Sequence, residues 1–192
     1  MIFSVLLLVA AGMLLYYNSS ENNRVEEGNL ETVTKLEKIL EEQITEQNNQ
    51  VQDGGNNTIP LQKTSINING HDYIGIVYIP ILNNLALPVI ETCTDSNLKV
   101  SVCKYSGSLQ ENNLVIAGHN YKSSFGKLSS LAVGNIAYFK DVNGTVYKYH
   151  CKAIETLAPN KVYEMQTGDW DLTLFTCTYN GANRVAYRFE LD

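Results

Sequence analysis

The stretch TLFTCTYNGANRVAYRFELD, Thr173 to Asp192, sets one cysteine, Cys177, at the end of a strand-like run. The run that follows carries two arginines, Arg184 and Arg188. A thiol attacks well only as the thiolate, and a free thiol loses its proton near pH 8.5, so a neighbouring cation favours the reactive form. Upstream, NNLVIAGHNY ends a buried-type run in Gly118 and His119, and an imidazole there is suited to carry protons. Both residues sit at strand ends, where a rigid sheet holds a side chain at its rim. The residues alone allow a catalytic Cys/His pair or an inert packing thiol.

Register chooses between the arginines. Asn180-Gly181 is a preferred two-residue type I′ hairpin turn. Such a turn pairs Cys177 with Arg184 on one face, Cβ atoms about 5 Å apart. Arg188 then lies opposite Thr173, about 13 Å further along the strand. The other candidates are less suited to chemistry. Cys93, Cys103 and Cys151 make no CxxC spacing, and with His71 and His150 they complete no zinc pattern, so no metal and no cofactor is expected. An exported chain could bridge Cys93 to Cys103. His150 and Cys151 are strand neighbours and face opposite sides. His71, in NGHDY, reads as a solvated turn residue.

The elements that must position these residues are short and β-like from Leu61 onward. DYIGIVYIPIL, LKVSVCKYSG, NNLVIAG, two runs flanking Asn143-Gly144, DLTLFTCTY and RVAYRFEL read as strands. SSFGKLSSLAVG suggests one helical turn. This pattern argues an all-β sandwich or barrel. Before it, Ile2 to Tyr17 carries no charge and as a helix spans about 25 Å, against about 30 Å for a bilayer core. It reads as an uncleaved membrane signal-anchor, residues 1–17, with a cleaved signal peptide as the competing reading. Residues 18–60 hold nine acids and three bases, which accounts for the whole net charge of −6. Val33, Leu36, Leu40 and Ile44 mark one face of a helix there. That helix is either a stalk or a brace docked on the domain's flank. A polar Gly-Gly linker follows it. With no basic stripe, no nucleic-acid partner is expected.

Three of these stretches carry a family resemblance. TLFTC is similar to the sortase TLxTC signature, NLVIAGHNY to the segment around the sortase histidine, and NRVAYRF to the strand bearing the sortase arginine. GIVYIPILNNLALPV resembles early sortase strands. The motifs stand in family order from about Asp72 to the C-terminus. The resemblance implies a closed eight-stranded β-barrel with short helices over residues 61–192, an acidic helical stalk and linker over 18–60, and a single membrane pass that leaves the catalytic domain outside a Gram-positive cell. It implies a cysteine transpeptidase that cleaves an LPxTG-like or NPxTx-like sorting motif of surface proteins. The threonine carbonyl would pass to an amine of a peptidoglycan precursor or a pilin. Residue by residue, it assigns Cys177 as nucleophile, His119 as proton carrier and Arg184 as holder of the carbonyl oxygen. The class is B-like or D-like: TCTY leans to B, and the short interval from His119 to Cys177 leaves little room for the long helix class B inserts. Another exported cysteine hydrolase or a non-catalytic anchored β-domain are the rivals. Papain-like enzymes place Cys before His, the reverse of the order here.

Overall fold

A computed structural model describes residues 2–52 and 62–192. The chain runs α1 (Ile2–Gln52), β1 (Ile66–Ile68), β2 (His71–Ile79), β3 (Leu85–Ile90), α2 (Asp95–Leu98), β4 (Val102–Ser106) and β5 (Leu114–Ala117). A 3₁₀ turn (Phe125–Ser130), β6 (Ile136–Asp141), β7 (Val146–Leu157), α3 (Val162–Gln166), β8 (Leu172–Cys177) and β9 (Arg184–Leu191) follow. The strand order is β1-β2-β3-β4-β5-β8-β9-β7-β6, and β2 also pairs with β6. That last pairing closes β2 to β9 into an eight-stranded barrel, with β1 as a short edge strand outside the ring. Closure removes the exposed sheet edges that an open sheet would leave.

Alternation does what the sequence leads one to expect. Val77, Ile79, Leu87, Val89, Ile116, Phe139, Leu174 and Phe189 point inward and fill the barrel. The Asn143-Gly144 hairpin forms, with Lys140 paired to Val146. Asp141 Oδ1 shapes it by accepting the N–H groups of Asn143 and Thr145. His71 opens β2 opposite Ile68 instead of standing in a turn. Leu98 belongs to α2, so β4 starts later than LKVSV suggests.

Of the two readings of residues 18–60, docking holds for the helix. Val33, Leu36 and Leu40 are buried against Ile66, Ile68, Tyr73, Ile76 and Ile90, a second core outside the barrel. Tyr78 Oη donates to Glu37 Oε1 at 2.9 Å beside it. Residues 53–60 of the expected linker lie outside the described residues. At the other end of α1, Leu8, Met13, Leu14, Leu15, Tyr16 and Tyr17 are exposed. Among the described residues, no helix is long and apolar enough to cross a membrane.

This second core makes α1 part of the packing of the catalytic domain. Each of the three apolar side chains of α1 contributes about 2 kcal/mol by burial. A chain starting at Lys63 is therefore expected to unfold in urea several kcal/mol more easily than one starting at Ser20. Equal midpoints and slopes for the two would show that α1 adds nothing to the fold.

Candidate active site

β5 and β8 run parallel, with Ala117 beside Phe175, and the Gly118 N–H donates to the Phe175 carbonyl at 3.1 Å. Each strand exits two residues later, at His119 and at Cys177. β8 and β9 are antiparallel, with Cys177 directly opposite Arg184. His119, Cys177 and Arg184 therefore stand side by side at one rim, on three consecutive strands of the ring, with the thiol in the middle. Neighbouring strands lie about 4.8 Å apart, so both flanking groups can reach the thiol's surroundings. All three line one cleft of about 850 Å³.

The register expected from Asn180-Gly181 is found, but through a different turn. Type I′ needs positive φ at both central residues. Here Gly181 alone has it, at +72°. The loop instead spans Tyr179 to Ala182 and is closed by Thr178 N–H donating to Asn183 O at 2.9 Å. Its side chains set the shape: Asn180 Oδ1 accepts the Ala182 N–H, and Thr178 Oγ1 accepts the Asn183 N–H. Tyr179 and Ala182 leave the ladder together, so the loop stays centred on Asn180-Gly181 and Arg184 still faces Cys177. Arg184 Nη1 donates to the carbonyls of Gly181 and Asn183 at 3.3 and 3.2 Å, holding the guanidinium at the loop.

His119 is half-buried, and burial pulls its imidazole below the ordinary histidine range. Asp95 opposes that shift and Lys99 adds to it, both from the α2 segment. The Tyr121 ring stacks on the imidazole, centroids 4.8 Å apart at 27°. Gly118 is required for a reason other than turning freely. A Cβ there would stand 2.6 Å from the Phe125 ring, so the small residue lets that ring pack under the strand exit.

The sequence did not mark the rest of the cleft. Tyr105 and Phe175 meet edge to face at 5.1 Å and give it an aromatic floor. Cys93 also lines it. Its thiol is pulled down by hydrogen bonding with Cys103, whose own thiol is pushed up by the same contact and by burial. All four cysteines are free thiols, so the Cys93–Cys103 bridge is not formed. Cys151 is buried, which raises its pKa to about 11, and it faces away from half-exposed His150 as expected.

Arg188 lies opposite Thr173 as the register requires, but it is 2% exposed and fully engaged. It donates to Thr173 Oγ1, to the carbonyls of Met165 and Glu164, and to Glu155 Oε2. The two carbonyls belong to α3, whose Val162 and Met165 line the cleft. Arg188 is thus the clamp that holds the α3 wall against the sheet.

Comparison with known proteins follows the same lines. The family described as Sortase domain matches residues 77–191. No curated protein matches the chain in sequence. The fold is similar to that of a Clostridium perfringens sortase D5 transpeptidase, at 18% identity and a TM-score of 0.65 over 86% of this chain and 99% of that one. It is similar to Streptococcus pneumoniae sortase C, at 19% identity and a TM-score of 0.62 over 84% and 96%. A Clostridium perfringens sortase C, solved with the C-terminal cell wall sorting motif, aligns over 93% and 98% at 22% identity and a TM-score of 0.56. At these identities the structures speak for the fold, while the domain match, which takes in more than half of the chain and all three rim residues, speaks for descent. The chain belongs to the sortase family of cysteine transpeptidases.

Proposed function

We propose that this sortase cleaves an LPxTG-like or NPxTx-like motif near the C-terminus of surface proteins and transfers the threonine carbonyl to an amine. The observation that carries the reading is the register that sets His119, Cys177 and Arg184 on adjacent strand ends of one cleft. The Cys177 thiolate attacks the threonine carbonyl, and the oxyanion so formed is met by the Arg184 guanidinium. His119 gives its proton to the leaving amine as the C–N bond breaks, which leaves a thioacyl-enzyme. An amine of a peptidoglycan precursor or a pilin lysine then attacks, its proton passes to His119, and the thiolate departs. The five-residue α3 between β7 and β8 favours the D-like over the B-like class. The exposed apolar side chains between Leu7 and Tyr17, near the start of α1, support a membrane anchor over residues 1–17 with the barrel outside the cell.

The test is mass spectrometry of the full chain mixed with candidate peptides and amines. A mass gain on the Cys177 peptide, chased to an amide by added amine, is the expected result. Release of free acid at the same rate with and without amine would favour the hydrolase reading instead.

The pH dependence follows from His119. The working form holds thiolate and imidazolium together, and burial makes the imidazolium scarcer at neutral pH. Turnover should trace a bell whose limits belong to the pair. Asp95→Asn removes the charge that favours the imidazolium, so the histidine limb should move to lower pH. Lys99→Ala should move it to higher pH. Opposite movements in steady-state pH profiles would place the charges wrongly.

A further inference from the structure

The upper half of α1 carries a polar stripe that the reaction scheme does not use. Asn22, Glu26 and Asn29 recur at four- and three-residue spacing, so they share one helix face. Below them the same face continues into the buried Val33, Leu36 and Leu40. The polar part rests on the segment just after His119. Asn29 Nδ2 donates to the Ser123 carbonyl at 3.1 Å, and Ser123 Oγ donates to Asn22 Oδ1 at 3.2 Å. Lys127 Nζ pairs with Glu26 Oε1 at 3.3 Å. Asn29 is 4% exposed, so the apolar contact could be made as well by alanine; the amide is there for the hydrogen bond.

That segment is one tight unit with the histidine. The Phe125 N–H donates to the His119 carbonyl at 3.1 Å. The N–H groups of Ser124 and Gly126 both donate to the Tyr121 carbonyl, at 3.0 and 2.9 Å. Tyr121 in turn stacks on the imidazole. A displacement at Ser123 therefore passes through two short hydrogen-bonded steps to the ring. From inside, the unit is held by the buried Phe125; from outside, it is held by α1.

We propose that Asn29 is a positioning residue for His119, and that α1 thereby sets the alignment of imidazole and thiol. This rests on the role assigned to His119 above. Loss of the amide leaves a buried carbonyl without its donor, and the turn relaxes toward water. The imidazole then sits off the line between the thiol and the leaving amine. Misplacement on the scale of 1 Å is enough to cost up to about a hundredfold in rate.

The test uses the full-length protein in detergent and two readouts. One is the pH profile of iodoacetamide alkylation at Cys177, quantified on its own peptide by mass spectrometry, which needs no substrate. The other is kcat and KM on fluorogenic LPxTG-like and NPxTx-like peptides. Asn29→Ala and the isosteric Asn29→Asp should each lower kcat about tenfold or more, with KM changed by less than about twofold, and should displace the alkylation profile. Leu36→Ala, lower on the same face, should lower the melting temperature yet leave the profile and the kcat of folded protein as in the wild type. If the Asn29 variants also melt lower but keep the wild-type profile and kcat, the residue is only structural and the proposal is overturned. Should they fail to fold, Asn22→Ala decides: alanine suits the half-exposed helical site, a displaced profile supports the proposal, and an unchanged one overturns it. If the wild type cleaves no peptide, the sorting-motif reading fails, while the alkylation profile still decides the role of Asn29.

Discussion

Cys177→Ala is expected to abolish cleavage of every sorting peptide while moving the unfolding free energy by less than about 1 kcal/mol. The side chain is small and half-buried at a strand end, so little packing is lost with it. Everything it does is chemical. Without the sulfur no thioacyl bond can form, and neither His119 nor Arg184 offers a substitute nucleophile. The cleft holds a second thiol, and this sharpens the experiment. Cys93→Ala should keep most of the turnover, because its neighbour is the Cys103 thiol and not an imidazole or a guanidinium. Peptide turnover assays on the two variants, run beside denaturant unfolding, separate the alternatives. Residual turnover in Cys177→Ala, or a dead Cys93→Ala, would move the nucleophile to the other wall of the cleft.

The two arginines of β9 should fail in opposite ways. Arg184→Ala is expected to reduce turnover at least a hundredfold, on the scale of about 3 kcal/mol for a lost oxyanion donor, with stability near that of the wild type. Its guanidinium touches only loop carbonyls that water can reach. Arg188→Ala is expected to lose far less turnover per folded molecule. Its cost is in stability, about 3–5 kcal/mol, because two α3 carbonyls and the Thr173 hydroxyl lose their donor inside the protein. Steady-state kinetics and calorimetry on both variants give four numbers. A stable but inactive Arg188→Ala beside an active Arg184→Ala would invert both assignments.

The difference between these arginines shows how far the sequence could be read. Their separation along β9, and the face they share, follow from a period of two and a hairpin of even length. That reasoning held although the turn type was wrong, since the longer loop is still centred on Asn180-Gly181. The partners of Arg188 could not be read, because they are backbone carbonyls of α3, and a carbonyl leaves no mark in a sequence. The same limit applies to α1. The stripe of Val33, Leu36 and Leu40 says that a helix face must be covered, but not whether the cover is a second helix or the outside of a barrel. The strands themselves were legible because inward and outward residues alternate. The rim was legible because three motifs fall on strand ends. The charges that tune His119 were not, since Asp95 and Lys99 lie on the connection between β3 and β4 and reach it only once β4 has paired with β5.

The parallel pairing of β5 with β8 also dictates the order in which reactivity arises. β8 and β9 are joined by a short loop, so Cys177 can meet Arg184 early, by local hairpin formation on a microsecond scale. His119 cannot join them until β6, β7 and α3 have been laid down around the ring, because a parallel neighbour is reached only through a crossover. Pairings of such long sequence separation come late and slowly in folding. A chain still folding therefore holds Cys177 beside Arg184 before His119 arrives. On the roles proposed above, it acquires its general acid only when β5 pairs with β8, so full reactivity waits on that crossover.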